Sequence, residues 1–132
     1  MKKMINLLML LITLVFFSTS QTSAQNLKQI EFAKGKTSAT VRGNTGTYGV
    51  AYVVRARSGQ KLVLTLSPAS KVGIKVETNG ADGEEILLRE ERGGTFVVGL
   101  EESGDYTIFV GSTNGRPVPF SLAVKIERMT DI

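Results

Sequence analysis

The side chains available for chemistry in this chain are carboxylates, hydroxyls, amides and cations, because it contains neither Cys nor His. That excludes Ser-His-Asp and Cys-His catalysis and zinc sites built from Cys or His. What remains is mostly acidic. The run from Asp82 to Glu91 offers oxygen donors and a turn at Asp82-Gly83-Glu84-Glu85. A hard cation such as calcium wants six to eight such oxygens. The run lacks the regular alternation of a known calcium loop, so it reads as a solvated loop. Glu90 with Glu91, and Glu101 with Glu102, have the residue types for glycoside hydrolysis. Neighbours on a strand point to opposite faces, so neither pair flanks one substrate. A chain this small also leaves little room for a deep cleft. The expectation is a non-enzymatic protein with no catalytic residues, no metal site and no cofactor.

Three further stretches hold distinctive residues. Ser103-Gly104-Asp105-Tyr106 is explained by turn chemistry: Gly104 permits a positive φ, Asp105 can bond its own backbone, and Tyr106 begins an inward row. The loops Gly43 to Gly49 and Gly111 to Pro119 are the better candidates for a binding edge. Tyr48 is a rigid amphipathic anchor, and Arg116 can bond a carboxylate with two parallel donors; both types are enriched at interface hot spots. The alternative is that they are ordinary exposed loop residues.

These loops must be held by strands. Tyr52 to Leu66 alternates twice. Tyr52, Val54 and Ala56 share one face, Leu62, Leu64 and Leu66 share another, and Ser58-Gly59-Gln60 lies between. The stretch fits a hairpin with Ala56 facing Leu62, and equally a corner where the chain crosses to a second sheet. Elsewhere the alternating sets are Ile30 and Phe32; Ala39 and Val41; Val72, Ile74 and Val76; Ile86 and Leu88; Phe96, Val98 and Leu100; Tyr106, Ile108 and Val110; and Phe120, Leu122, Val124 and Ile126. Turn formers separate nearly all of them. The spacing predicts an all-β domain, an antiparallel, jelly-roll-like β-sandwich of eight to nine short strands.

The N-terminus has the order of a secretory signal peptide. Lys2 and Lys3 precede an apolar run from Ile5 to Phe17, and small residues lead to Ala24. That run is short for a membrane-spanning helix. The expectation is a signal over residues 1–24, cleaved after Ala24, and one domain over 25–132 that is periplasmic or secreted, with no stable membrane insertion. Without Lys2 and Lys3 the chain carries 14 basic and 12 acidic residues. This balance gives no argument for nucleic acid as a partner. The charges are segregated: Lys28 to Lys75 holds nine basic residues and one acid, Glu77 to Asp105 nine acids and two arginines.

Several pieces then read together: Ile30-Glu31-Phe32-Ala33-Lys34-Gly35, Ser38-Ala39-Thr40-Val41, Gly43 ahead of a tyrosine-bearing loop, Tyr52, Ala56, Gly59-Gln60-Lys61, Leu100, Ser103-Gly104-Asp105-Tyr106 and Phe120-Ser121-Leu122. Over nearly all of residues 25–132 the sequence resembles the exported inhibitors of goose-type lysozyme and the broader set of pre-peptidase C-terminal-like β-sandwich domains. The resemblance implies a goose-type lysozyme as partner, its substrate cleft blocked by loops at one edge of the sandwich. By position those loops are Gly43 to Gly49 and Gly111 to Pro119, with Tyr48, Asn114 and Arg116 as contact residues. The last loop is shorter than the family's, and Arg116 is its only charge. Rival expectations are a carbohydrate or cell-wall binding module and a structural domain without a soluble ligand.

Overall fold

The computed structural model describes residues 27–80 and 83–129. The expected signal segment and Asp82 of the acidic run lie outside them. The described residues form nine strands and no helix: β1 (Leu27–Gln29), β2 (Ser38–Asn44), β3 (Val50–Ala56), β4 (Gln60–Ser67), β5 (Val72–Gly80), β6 (Gly83–Glu90), β7 (Gly94–Gly99), β8 (Gly104–Ser112) and β9 (Pro119–Arg128). They make a five-stranded sheet in the order β1-β3-β8-β5-β6 and a four-stranded sheet in the order β2-β9-β4-β7. Strands β2 to β9 thus follow the two-Greek-key order of a jelly roll. The expected β-sandwich is the observed fold.

Alternation builds the core. Val54, Leu62, Leu64, Leu66, Val72, Val76, Ile108 and Leu122 are all fully buried, and each comes from an inward row of its strand. Each contributes on the order of 1.5–3 kcal/mol of burial before chain entropy is counted.

The stretch from Tyr52 to Leu66 is the corner, not the hairpin. β3 pairs with β8, placing Val54 opposite Tyr106. β4 lies in the other sheet, with Leu62 opposite Val98 and Ile126. Gly59 makes the bend possible at φ +81°. The corner is tied down from both sides. Gln60 Oε1 accepts the Arg57 N–H at 2.7 Å, and Ser103 Oγ accepts the Ser58 N–H at 3.0 Å.

Two strands depart from expectation. Leu27 to Phe32 reads as one strand, yet β1 stops at Gln29 and pairs parallel with β3. The chain must next reach β2 in the opposite sheet, so it leaves the ladder after Ile30, whose N–H still donates to Val53 O at 2.8 Å. Ile30 is buried and Phe32 half-buried against the core. Ile86 and Leu88 do not share an inward face either. The register between β5 and β6 shifts between Val76 and Glu77: Val76 faces Leu88 while Glu77 faces Ile86. Leu87 is the extra residue of a β-bulge, which reverses the alternation beyond it. Leu87 and Leu88 both pack on the core, and Ile86 is exposed.

The turn reading of Ser103 to Tyr106 holds in outline. Gly104 sits at φ +150°. Tyr106 is buried, and its hydroxyl donates to the carbonyl of Glu102, four residues back. A strand-opening tyrosine tied to the preceding turn is a device for fixing corners of β-sandwiches. Asp105, however, pairs with Arg55 at 3.3 Å across the sheet.

Candidate functional site

Strand directions put the β2–β3, β4–β5, β6–β7 and β8–β9 connections at one end of the sandwich. The two loops predicted to form a binding edge are therefore neighbours in space. Their junction is specific. Thr45 N–H donates to Val118 O at 2.9 Å, and Val118 N–H donates to Thr45 Oγ1 at 3.0 Å. Thr45 is only 1% exposed. A buried hydroxyl must find partners, and this one also donates to Gly46 O at 2.9 Å.

Beyond the junction the chain turns back through Gly46 and Gly49, both at positive φ. A Cβ on Gly49 would lie 2.9 Å from Val110 O, so the loop is laid directly on β8. Tyr48 stands at the crest of this turn, 99% exposed. A tyrosine packed on nothing in its own chain presents its whole ring and hydroxyl to a partner.

The second loop is folded by Asn114. Its Oδ1 accepts Ser112 Oγ at 2.8 Å and the Arg116 N–H at 3.0 Å, while Asn114 N–H donates to Ser112 Oγ at 3.3 Å. Gly115 follows at φ +75°. The side-chain carbonyl of Asn114 is thus used to shape the loop that carries the exposed Arg116. Thr113 N–H donates to Lys71 O at 3.0 Å and fastens the loop to the β4–β5 connection.

That fastening brings cations that sequence reasoning did not assemble. Lys71 and Arg92 are exposed at the same end as Arg116, contributed by two other connections. None of the three belongs to an ion pair among the described residues. The edge is therefore more basic than its last loop alone. Beside it, an open depression of about 660 Å³ is lined by Lys75, Arg89, Glu90, Arg92, Phe109 and Thr113, among others. Lys75 Nζ lies 4.4 Å from the centre of the Phe109 ring and 2.9 Å from Glu77 Oε1, so both groups already have partners.

Among the described residues no group of three or more carboxylates gathers as a metal site. Glu101 and Glu102 stand at the opposite end from Tyr48 and Arg116, in the β7–β8 connection. Thr45 and Val118 were not singled out in the sequence. For Val118 a signal existed: it extends the row Phe120, Leu122, Val124, Ile126 by one step. For Thr45, one of three threonines around the first loop, there was none.

No protein-family model matches the chain, and no curated protein does. Solved structures do. The structure of PliG from Aeromonas hydrophila, a periplasmic inhibitor of g-type lysozyme, superposes with a TM-score of 0.68 at 29% identity, over 77% of this chain and 96% of that one. PliG from Salmonella Typhimurium superposes with a TM-score of 0.60 at 24% identity, over 77% and 98%. A mutant of the Escherichia coli protein does so with a TM-score of 0.60 at 24% identity, over 79% and 100%. The chain accordingly resembles the g-type lysozyme inhibitors, as its residue pattern implies, over almost their whole length.

Proposed function

We propose that this protein is an exported, non-enzymatic inhibitor of a g-type lysozyme. The observation that carries the reading is the near-complete superposition on the Aeromonas hydrophila inhibitor at 29% identity. The three similar proteins are periplasmic, which agrees with a cleaved N-terminal signal over residues 1–24. Inhibition works by occlusion. Tyr48 enters the enzyme's cleft as an apolar anchor with a hydroxyl, and Arg116 bonds a carboxylate of the enzyme, supported by the positive field of Lys71 and Arg92. Asn114 contributes by holding the Arg116 loop in shape and lies within the same contact area.

The test is calorimetric titration of the protein and of the double variant Tyr48→Ala/Arg116→Ala against a g-type lysozyme. The wild type binds with one-to-one stoichiometry, and the double variant loses affinity by more than about 100-fold, as loss of two hot-spot side chains requires. Equal binding by both proteins would place the contact elsewhere on the sandwich.

A further inference from the structure

At the end of the sandwich opposite Tyr48 and Arg116, the β1–β2 connection, the β3–β4 corner and the end of β9 surround an open depression of about 410 Å³. That volume is within the range of small-molecule sites, about 300–1,000 Å³. Its apolar lining is Phe32, Ala56 and Ile126. Phe32 and Ile126 pack on the core but are only half-buried, so part of each side chain is left uncovered here. The walls are fixed by the backbone. Ile126 N–H donates to Thr37 O at 2.8 Å, and Gln60 Oε1 accepts the Arg57 N–H at 2.7 Å. With that oxygen used, the polar side chains of the lining offer mainly donors: the cations of Lys36, Arg55 and Arg57, the Gln60 amide N–H groups and the Thr37 hydroxyl.

The charge around this depression is one-sided. No carboxylate lines it among the described residues. The acids nearby are already met by cations. Asp105 pairs with Arg55 at 3.3 Å, and Glu127 pairs with Lys61 and Lys125 at 3.5 and 2.8 Å. Glu31 shares its connection with Lys34 and Lys36. Glu101 and Glu102 line a separate depression, with Glu85 and Tyr106. Lys36 and Arg57 are exposed and belong to no ion pair among the described residues. An apolar floor beside two such cations fits an anion that carries its own apolar body. A peptide would bring backbone N–H donors as well, and the lining side chains offer these only the Thr37 hydroxyl oxygen, since Gln60 Oε1 is used. An aliphatic chain brings no donors to satisfy. We propose that this depression binds one dissolved molecule of an aliphatic acid, its chain laid on Phe32, Ala56 and Ile126 and its carboxylate bonded by Lys36 and Arg57. The site uses none of Tyr48, Lys71, Arg92 and Arg116, so it stands independently of the proposed inhibition.

The experiment is calorimetric titration of the full gene product, purified as the cell leaves it, with decanoate kept below its micelle concentration. Decanoate binds one-to-one, and binding weakens as salt is raised. Hexanoate binds at least about tenfold more weakly, because less of its chain is withdrawn from water, and acetate does not bind. The double variant Lys36→Glu/Arg57→Glu loses affinity for decanoate at least about tenfold, as the loss of two charged donors requires. Both side chains are exposed, and circular dichroism confirms that the variant is folded. In the NMR spectrum of the wild type, decanoate moves the amide signals around Phe32, Ala56 and Ile126 most. No binding of decanoate at millimolar concentration overturns the proposal, even if the protein binds phosphatidylglycerol vesicles. Equal binding of decyltrimethylammonium, wild-type affinity in the double variant, or NMR changes centred elsewhere on the sandwich overturns it too.

Discussion

Thr45 and Val118 hold each other by two hydrogen bonds, one backbone to backbone and one backbone to side chain, at 2.9 and 3.0 Å. This pair is where two loops distant in sequence become one edge. Tyr48 lies three residues beyond Thr45, and Arg116 two residues before Val118. The relative position of the two proposed anchors is therefore set by a buried threonine whose hydrogen bonds go to Val118 and Gly46.

Replacing Thr45 by Val, nearly the same shape, leaves the Val118 N–H without its partner. A buried donor stranded in this way costs about 1–3 kcal/mol. Urea unfolding of Thr45→Val should show that loss, and binding to a g-type lysozyme should weaken although Tyr48 and Arg116 are intact. Thr45→Ser keeps the hydroxyl and should recover most of both.

Tyr48→Ala should behave in the opposite way. The side chain is fully exposed, so unfolding free energy should stay within about 0.5 kcal/mol of wild type. Affinity for the enzyme should fall by about 30-fold or more, the scale of a hot-spot tyrosine. Melting and binding measured on one preparation separate the two effects.

Gly46 and Gly49 flank Tyr48 and differ in what a methyl group would meet. Both have positive φ, which costs a non-glycine residue roughly 1–2 kcal/mol. Around Gly46 there is open space, whereas at Gly49 the added carbon would sit 2.9 Å from Val110 O. Gly49→Ala should therefore destabilise distinctly more than Gly46→Ala in the same urea titration, and should also displace Tyr48.

Alkaline pH should unfold the protein through its buried tyrosines. Burial raises Tyr52 above its ordinary value. Burial likewise raises Tyr106, and the nearby Glu102 carboxylate adds to the rise. A raised folded-state value means the unfolded tyrosine releases its proton first, at about pH 10. Stability is then fully present below that pH and is lost as pH rises through the higher folded-state values. Tyr106→Phe should flatten this decline, at a cost near neutrality of about 1 kcal/mol for the lost hydrogen bond. Unfolding curves at a series of pH values from about 8 to 11 test both signs.

Most of the fold was legible because it depends on alternation, which sequence carries residue by residue. The inward rows at Tyr52 to Ala56, Leu62 to Leu66 and Phe120 to Ile126 all face the core. What alternation does not carry is an inserted residue. The bulge at Leu87 reverses the pattern locally, and Ile86 is exposed in consequence. Nor does it say whether Ser58-Gly59-Gln60 returns to its own sheet or crosses to the other, since the same glycine serves both. That choice rests on long-range partners such as Ser103 and Leu100. The candidate edge was legible as two loops with Tyr48 and Arg116, but not as one surface. Its cations are gathered from three connections, and its junction uses a threonine indistinguishable in sequence from its neighbours.

The most direct test of the account is a lytic assay. Purified protein is titrated into a g-type lysozyme acting on bacterial cell walls, with a chicken-type lysozyme in parallel. The account predicts that lysis by the g-type enzyme falls toward zero near one-to-one stoichiometry at micromolar concentration, and that Tyr48→Ala/Arg116→Ala shifts the curve to much higher concentration. An unchanged lytic rate with the g-type enzyme at micromolar protein would contradict it.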